Sequence, residues 1–390
     1  MIINRIKHIP SVLFQLEHYH GKSDIEWDFL KKIVQESLVD LKKEVLAGNL
    51  TIEKGEGAVP GAVHNKIMDN IAKNETSSLR RVINATGIIL HTGLGRAPYC
   101  DAAKENWKIV TEDYCNLEFD LDSGDRGERL DHVNRLLQML TGAEAGIVVN
   151  NNAAAVLLLL NTFGKNREVI ISRGELVEIG GSFRMPEVME ISGAILKEIG
   201  ATNRTHFKDY KKAINEQTSM ILKVHPSNYR IKGFIKEVEV QDLTELTREN
   251  EVLLCYDLGG GALFDLAEVG LPEEPIVSDL VKQDIDLISF SGDKLVGGPQ
   301  CGIIVGKKEL VDQLHKNPMY RALRLDKGVI AVLEATLKTF INKDITNNEL
   351  YRRNNQDPNI LKARGQKILD AIRFDRENAV LEVIDSPVQI

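Results

Sequence analysis

No apolar run in this chain is longer than the eight residues 153–160, less than half of the ~20 that a membrane-spanning helix needs. Arg5, Lys7, His8 and Pro10 interrupt the amino terminus, so it lacks the unbroken apolar core of a secretory signal. Cysteine is scarce. Cys100, Cys115, Cys255 and Cys301 form no CxxC pair, which leaves no zinc knuckle, redox dithiol or disulfide scaffold to read, and no metal site is expected. A basic excess is absent too: 49 basic against 57 acidic residues give a formal charge of −8. That excludes a global nucleic-acid footprint, though not a local one. The 30 glycines and 11 prolines follow no period, so the chain is not collagen-like. With 43% hydrophobic and 27% charged residues it has a globular composition. The expectation is a soluble protein of a reducing cytoplasm.

At 390 residues the length predicts two or three domains. From Ile25 to Leu46, apolar residues recur at helical spacing while Lys31, Lys32, Lys42 and Lys43 face away. Gly48-Asn49 should stop that helix, residues 55–63 read as a loop, and a shorter helix follows through Ile67, Met68 and Ile71. Asn74–Ser78 reads as a linker. Residues 1–80 hold 11 basic and 11 acidic side chains, so this module is neutral. Beyond Arg81 short apolar runs ending in Gly- or Asn-rich turns alternate with helical stretches such as 131–140 and 152–163. The strand-like runs are RVINATGIILHTG, AGIVVNNN, EVIISRGE, MILKVHPSN, VLLCYDLGGG, DLISFSGD and CGIIVG. This alternation predicts an α/β fold, a mostly parallel sheet flanked by helices. Ligands then bind beyond the carboxyl ends of the strands, so each functional residue should follow a strand. After a polar helical tail from about Lys338, residues 379–384 read as a lone terminal strand.

In the segment Ser289–Gly302 a buried strand ends in hydroxyls, Lys294 and a run of glycines. A lysine desolvated there can form a Schiff base with a carbonyl cofactor. Alone it reads as readily as a surface lysine. Asp257 stands at the end of another β-rich run, where a carboxylate can pair with a protonated pyridine nitrogen or simply cap a turn. A lysine and a carboxylate at successive strand ends are together what pyridoxal 5′-phosphate (PLP) needs on a sheet. Asn150–Ala155 puts small residues at a helix start, where free amides bind phosphate; an ordinary Asn cap is the plainer account. His91–Pro98 is GxGxxP and fails the dinucleotide fingerprint. Arg321 and Arg324 fall three apart on a helix face and suit a tetrahedral oxyanion, or a solvated surface.

At these residues the chain resembles the bacterial selenocysteine synthases (L-seryl-tRNA(Sec) selenium transferases), fold-type-I PLP enzymes. The resemblance rests on INATGIILHTGLGRAP, LEFDLDSGDRGER, VVNNNAAAVLL, ISRGELVEIGGSFRMPEVM, GATNRTH, KVHPSNYRIKGF, SFSGDKLVGGPQCGIIVGKKE and RALRLDK, in the family's order from Ile83 to Lys327. It departs at Gly93, Gly260 and Ala262, all small-residue changes in loops. It implies a PLP-dependent transferase fold of type I with a helical tRNA-binding domain over 1–75, a PLP-binding core over 76–335, and over 336–390 the start of a truncated C-terminal small domain. Lys294 is then the Schiff-base lysine and catalytic base, with Asp293 beside it, and Asp257 faces the pyridine nitrogen. Asn152, Ala153, Ala154 and Ser291 hold the cofactor phosphate, and Asn228 reaches the ring oxygen. Arg96, Arg321 and Arg324 bind the phosphate of selenophosphate. The implied reaction takes seryl-tRNA(Sec) through water elimination to a dehydroalanyl ester and then adds selenium. The implied assembly is a homo-oligomer of dimers in a larger ring, without a membrane partner. The alternative is a lyase or aminotransferase of the same fold that acts on a small amino acid or sugar amine without tRNA.

Overall fold

The computed structural model describes residues 11–19, 23–47, 58–179, 183–226, 231–372 and 382–383. Two compact units divide between Ile83 and Asn84. The first contains α1 (Val12–Tyr19), α2 (Trp27–Leu46) and α3 (Ala58–Glu75). The apolar stripe expected from the sequence is its core: Leu30, Ile33, Val34, Leu38 and Leu41 of α2 pack with Leu16, Tyr19, Val63, Ile67 and Ile71. The Glu26 side chain accepts from the Asp28 amide and caps α2, satisfying one of the open donors of the first turn. The expected loop over 55–63 is corrected in part, because α3 already begins at Ala58. Pro60 sits in its first turn, where a missing N–H breaks no intrahelical bond. Likewise Asn74 and Glu75 belong to the end of α3 rather than to a linker.

The second unit carries a seven-stranded sheet of β1 (Ala145–Val149), β2 (Glu168–Ser172), β3 (Ile195–Ile199), β4 (Thr218–Val224), β5 (Leu253–Gly259), β6 (Leu287–Ser291) and β7 (Gly302–Gly306). Their spatial order is β1-β7-β6-β5-β4-β2-β3. The neighbours from β6 through β5, β4 and β2 to β3 pair in parallel, whereas β7 runs antiparallel to both β6 and β1. Alternate strand residues feed two cores. Tyr256, Ile288, Phe290 and Ile303 face one; Ile147, Ile171, Leu222, Cys255 and Ile304 face the other. Helices cover both faces. The α-helices among its described residues are α4 (Asp101–Glu112), α5 (Asp131–Thr141), α6 (Asn152–Phe163), α7 (Met185–Ser192), α8 (Phe207–Ala213), α9 (Val240–Glu249), α10 (Val277–Lys282), α11 (Lys308–Lys316), α12 (Pro318–Leu323), α13 (Lys327–Ile341), α14 (Glu349–Asn354) and α15 (Pro358–Ala371).

Six of the seven strand-like runs are strands. RVINATGIILHTG is not. Val82 and Ile83 are 61% and 91% exposed, and the Asn84 side chain accepts from the Thr86 amide and donates to the Ile88 carbonyl. That local turn competes with extended pairing, so the loop bearing Arg96 follows no strand. The terminal run 379–384 lies outside the described residues except at 382–383. Among the described residues no helix is long and apolar enough to cross a membrane.

Candidate active site

A cavity of about 410 Å³ opens beyond the carboxyl ends of β4, β5 and β6. Arg96, Asn152, Ala153, Asp257, Ser291, Asp293 and Lys294 all line it. The loop after β6 is fixed by its own backbone: the Gly297 amide donates to the Lys294 carbonyl, and the Gly298 amide to that of Gly292, each at 2.8 Å. Two side chains from far along the chain secure it further. Asn348 Nδ2 donates to the Val296 carbonyl at 2.9 Å, and the Tyr351 hydroxyl donates to the Leu295 carbonyl. Lys294 is thereby held in a partly dry position. Burial and the neighbouring Arg96 charge lower its pKa from the ordinary lysine range, which favours a neutral, nucleophilic amine.

Asp257 is 4% exposed. Its Oδ1 accepts from Asn152 Nδ2 at 2.7 Å, Ser289 Oγ at 3.2 Å and the Gly259 amide at 3.3 Å. Oδ2 has no hydrogen-bond partner among the described residues. Burial raises the carboxyl's pKa, and the bonds from Asn152 and Ser289 offset part of that. Asn152 belongs to the first turn of α6, whose cap is the Asn151 side chain accepting from the Ala154 amide at 2.8 Å. Asn152 Oδ1 is buried without a partner, a costly state for a polar atom. Ala154 is the exception among the expected phosphate contacts: it is buried, its amide is taken by the cap, and it does not line the cavity. Asn228 lies outside the described residues.

Arg96 adopts a left-handed backbone at φ 60° directly after Gly95 at φ 80°, a conformation costing a non-glycine residue about 1–3 kcal/mol. Its Nε lies 2.8 Å from Asp293 Oδ2. Arg321 and Arg324 are not in this cavity. They line a separate cleft of about 280 Å³ with Arg126, Arg129 and Glu118. Only Arg321 is helical; Arg324 caps the end of α12 with extended backbone, so the expectation that both lie on one helix face is corrected. Arg324 reaches Glu118 at 3.5 Å, and Arg129 and Arg126 hold the Glu118 carboxyl below the usual range. The Asn150 amide donates to the Leu323 carbonyl at 3.0 Å, tying the end of α12 to the turn that starts α6.

Tyr99, His225 and Glu274 are not among the residues expected from the sequence. Tyr99 and His225 line the cavity, and His225 Nε2 lies 3.0 Å from Glu274 Oε2. Glu274 sits in an irregular loop with no motif around it. His225 directly follows β4 and so lies, like Asp257 and Lys294, at the carboxyl end of a strand, which is the signal that could have found it.

A lysine just past one strand, a carboxylate ending the next and a helix start between them, on this mostly parallel sheet, define the class of fold-type-I PLP enzymes. D-glucosaminate-6-phosphate ammonia-lyase shares the fold, with a TM-score of 0.55 over 70% of each chain at 19% identity. The family model described as SelA, L-seryl-tRNA selenium transferase, matches residues 82–390, and the chain belongs to that family. Among its relatives, the L-seryl-tRNA(Sec) selenium transferase of Desulfomicrobium baculatum is 48% identical over 341 residues, 87% of this chain and 73% of the relative. That of Maridesulfovibrio salexigens is 44% identical over 378 residues, 95% and 80% respectively.

Proposed function

We propose that this chain converts L-seryl-tRNA(Sec) to L-selenocysteinyl-tRNA(Sec), with PLP at Lys294 and selenophosphate as the selenium donor. The observation that carries the reading is the meeting of Lys294, Asp257 and Arg96 in one cavity of a chain in this family. The residues fit the cofactor. Asp257 Oδ2 is an open acceptor on a buried side chain, suited to a protonated ring nitrogen, whose charge would keep the carboxylate ionised. The orphaned Asn152 Oδ1 can take a donor. The Asn152 and Ala153 amides and the Ser291 hydroxyl can hold a phosphate at the start of α6. Asn228 is assigned to the ring oxygen. When bound, PLP serves as an electron sink for the Cα of the seryl group.

Lys294 would hold the cofactor through its Nζ; displaced from it by the seryl α-amine, that Nζ would be free to accept the Cα proton. Burial and the Arg96 charge lower its pKa, which favours the free amine that a proton acceptor must be. The Arg96 guanidinium holds the phosphate of selenophosphate in this cavity; Arg321 and Arg324 line the separate cleft of the same chain. Asp293, paired to Arg96, orients that guanidinium. The three-helix unit reads the shape of tRNA(Sec), and residues 84–390 carry the chemistry. The active form is a homo-oligomer. Borohydride treatment of the PLP-loaded protein, followed by digestion and peptide mapping, is expected to place the reduced adduct on Lys294. Lys294→Ala should lose the visible band and all conversion while retaining its far-ultraviolet spectrum. An adduct on another lysine would overturn the assignment. Turnover of free serine without tRNA would instead favour a lyase.

A further inference from the structure

Elimination from a seryl group has a chemical demand that Lys294 meets only in part. The Cα proton must leave, and the β-hydroxyl, a poor leaving group, must gain a proton as its bond to Cβ breaks. Among the described side chains lining the cavity, few can give one. Arg96 holds its proton too tightly. Tyr99 is made a weaker acid by burial and by Asp293. Asp257 accepts three hydrogen bonds, and Asp293 is committed to Arg96. Lys294, once it has taken the Cα proton, is an ammonium and the rival donor, which the test below separates from His225. The remaining group is His225, and imidazole is the side chain that exchanges protons most readily near neutral pH.

His225 is also built into place. It follows β4 directly, where the Val224 amide donates to Glu175 Oε2 at 3.0 Å and the His225 amide donates to the Asp257 carbonyl at 2.8 Å. Its backbone is therefore locked to the strand that carries Asp257. Its Nε2 is bonded to Glu274 at 3.0 Å, which fixes the orientation of the ring. Its Nδ1 has no partner among the described residues. This is the arrangement of an oriented acid–base imidazole: one nitrogen held by a carboxylate, the other open for transfer.

We infer that His225, oriented by Glu274, is the proton donor to the departing β-hydroxyl. The inference rests on the elimination chemistry proposed above. The Cβ–O bond breaks with its electron pair going to oxygen, the proton moves from His225 Nδ1 to that oxygen, and water leaves. The imidazole is then neutral and regains a proton from solvent.

The test compares two tRNA esters, seryl and β-chloroalanyl, because chloride departs without a proton. In His225→Gln, loss of water from the seryl ester should fall by about 10²- to 10⁴-fold, the usual range for removing a general acid. Elimination from the chloroalanyl ester should stay within a few-fold of the parent. Glu274→Gln should show the same pattern with a smaller loss. Two other readouts should hold still: PLP affinity from visible absorbance, and wash-in of solvent deuterium at Cα, which belongs to Lys294. Equal losses with both esters would assign His225 a structural role and overturn the inference. So would a variant that dehydrates the seryl ester at the parent rate. Failure of the parent itself to eliminate from either ester would overturn the functional reading, a distinct outcome.

Discussion

Burial works against the Asp257 carboxylate more strongly than its hydrogen bonds and the Lys294 charge favour it, and that has a measurable consequence at the residue scale. Its pKa is raised in the folded chain. The folded state is therefore favoured below the ordinary carboxylate pKa of about 3.9 and loses that advantage as pH rises through the elevated folded value. Asp257→Asn keeps an acceptor for Asn152 and Ser289 but carries no charge. Without PLP it is expected to melt as high as the parent or higher at pH 8, with the difference closing as pH falls toward about 4. With PLP the order should reverse, because the ring nitrogen loses its counter-charge. Thermal melts at both pH values with and without PLP check this; a cofactor-free parent that melts well above the variant at pH 8 would contradict it. Asp257 and Lys294 were legible in the sequence because each ends a strand-like run and their chemistry is paired. His225 shares that placement but had no paired motif to flag it, and Glu274 had neither.

At the scale of elements, the Lys294 loop is held by residues more than fifty positions further on. Tyr351, at 0% exposure, donates to the Leu295 carbonyl, so Tyr351→Phe leaves a buried carbonyl unpaired. The expected cost is about 1–3 kcal/mol, read from denaturant melts, with weaker PLP binding because the loop loosens. A loss of stability with unchanged PLP affinity would show that α14 steadies the fold without steadying the lysine. The strand runs were readable because β4 to β7 are buried on both faces and so nearly continuous in apolar residues. β3 is half exposed and carries Lys197 and Glu198, which hid it. The opposite error arose at 81–91, where Ile88 forms only an isolated bridge and no strand is found among the described residues. Propensity records a fit to a pleated, half-buried surface, and there that surface is missing.

At the scale of the whole molecule, the three described helices of the first unit have their own apolar core. A chain starting at Asn84 is expected to keep the fold of the second unit and its PLP spectrum, and to lose most of its preference for tRNA(Sec). Residual binding should weaken steeply with salt, as phosphate contacts do. Titration of cognate and non-cognate serine-accepting tRNAs at two salt concentrations checks this; a truncated chain with undiminished preference would assign the unit to assembly instead. The split near residue 80 was visible in the change of texture from helical stripe to strand-and-turn. The separation of Arg321 and Arg324 from Arg96 was not, since it depends on where α12 lands beside the turn before α6. The central claim, that the Lys294 cavity transfers selenium to a tRNA-borne serine, is tested most directly by the amino acid on the tRNA after reaction. Seryl-tRNA(Sec) would be incubated with PLP-loaded protein and selenium-labelled selenophosphate, then deacylated. The account predicts labelled selenocysteine with the parent chain and unchanged serine with Lys294→Ala. Unchanged serine with the PLP-loaded parent, or labelled selenocysteine with Lys294→Ala, would contradict it.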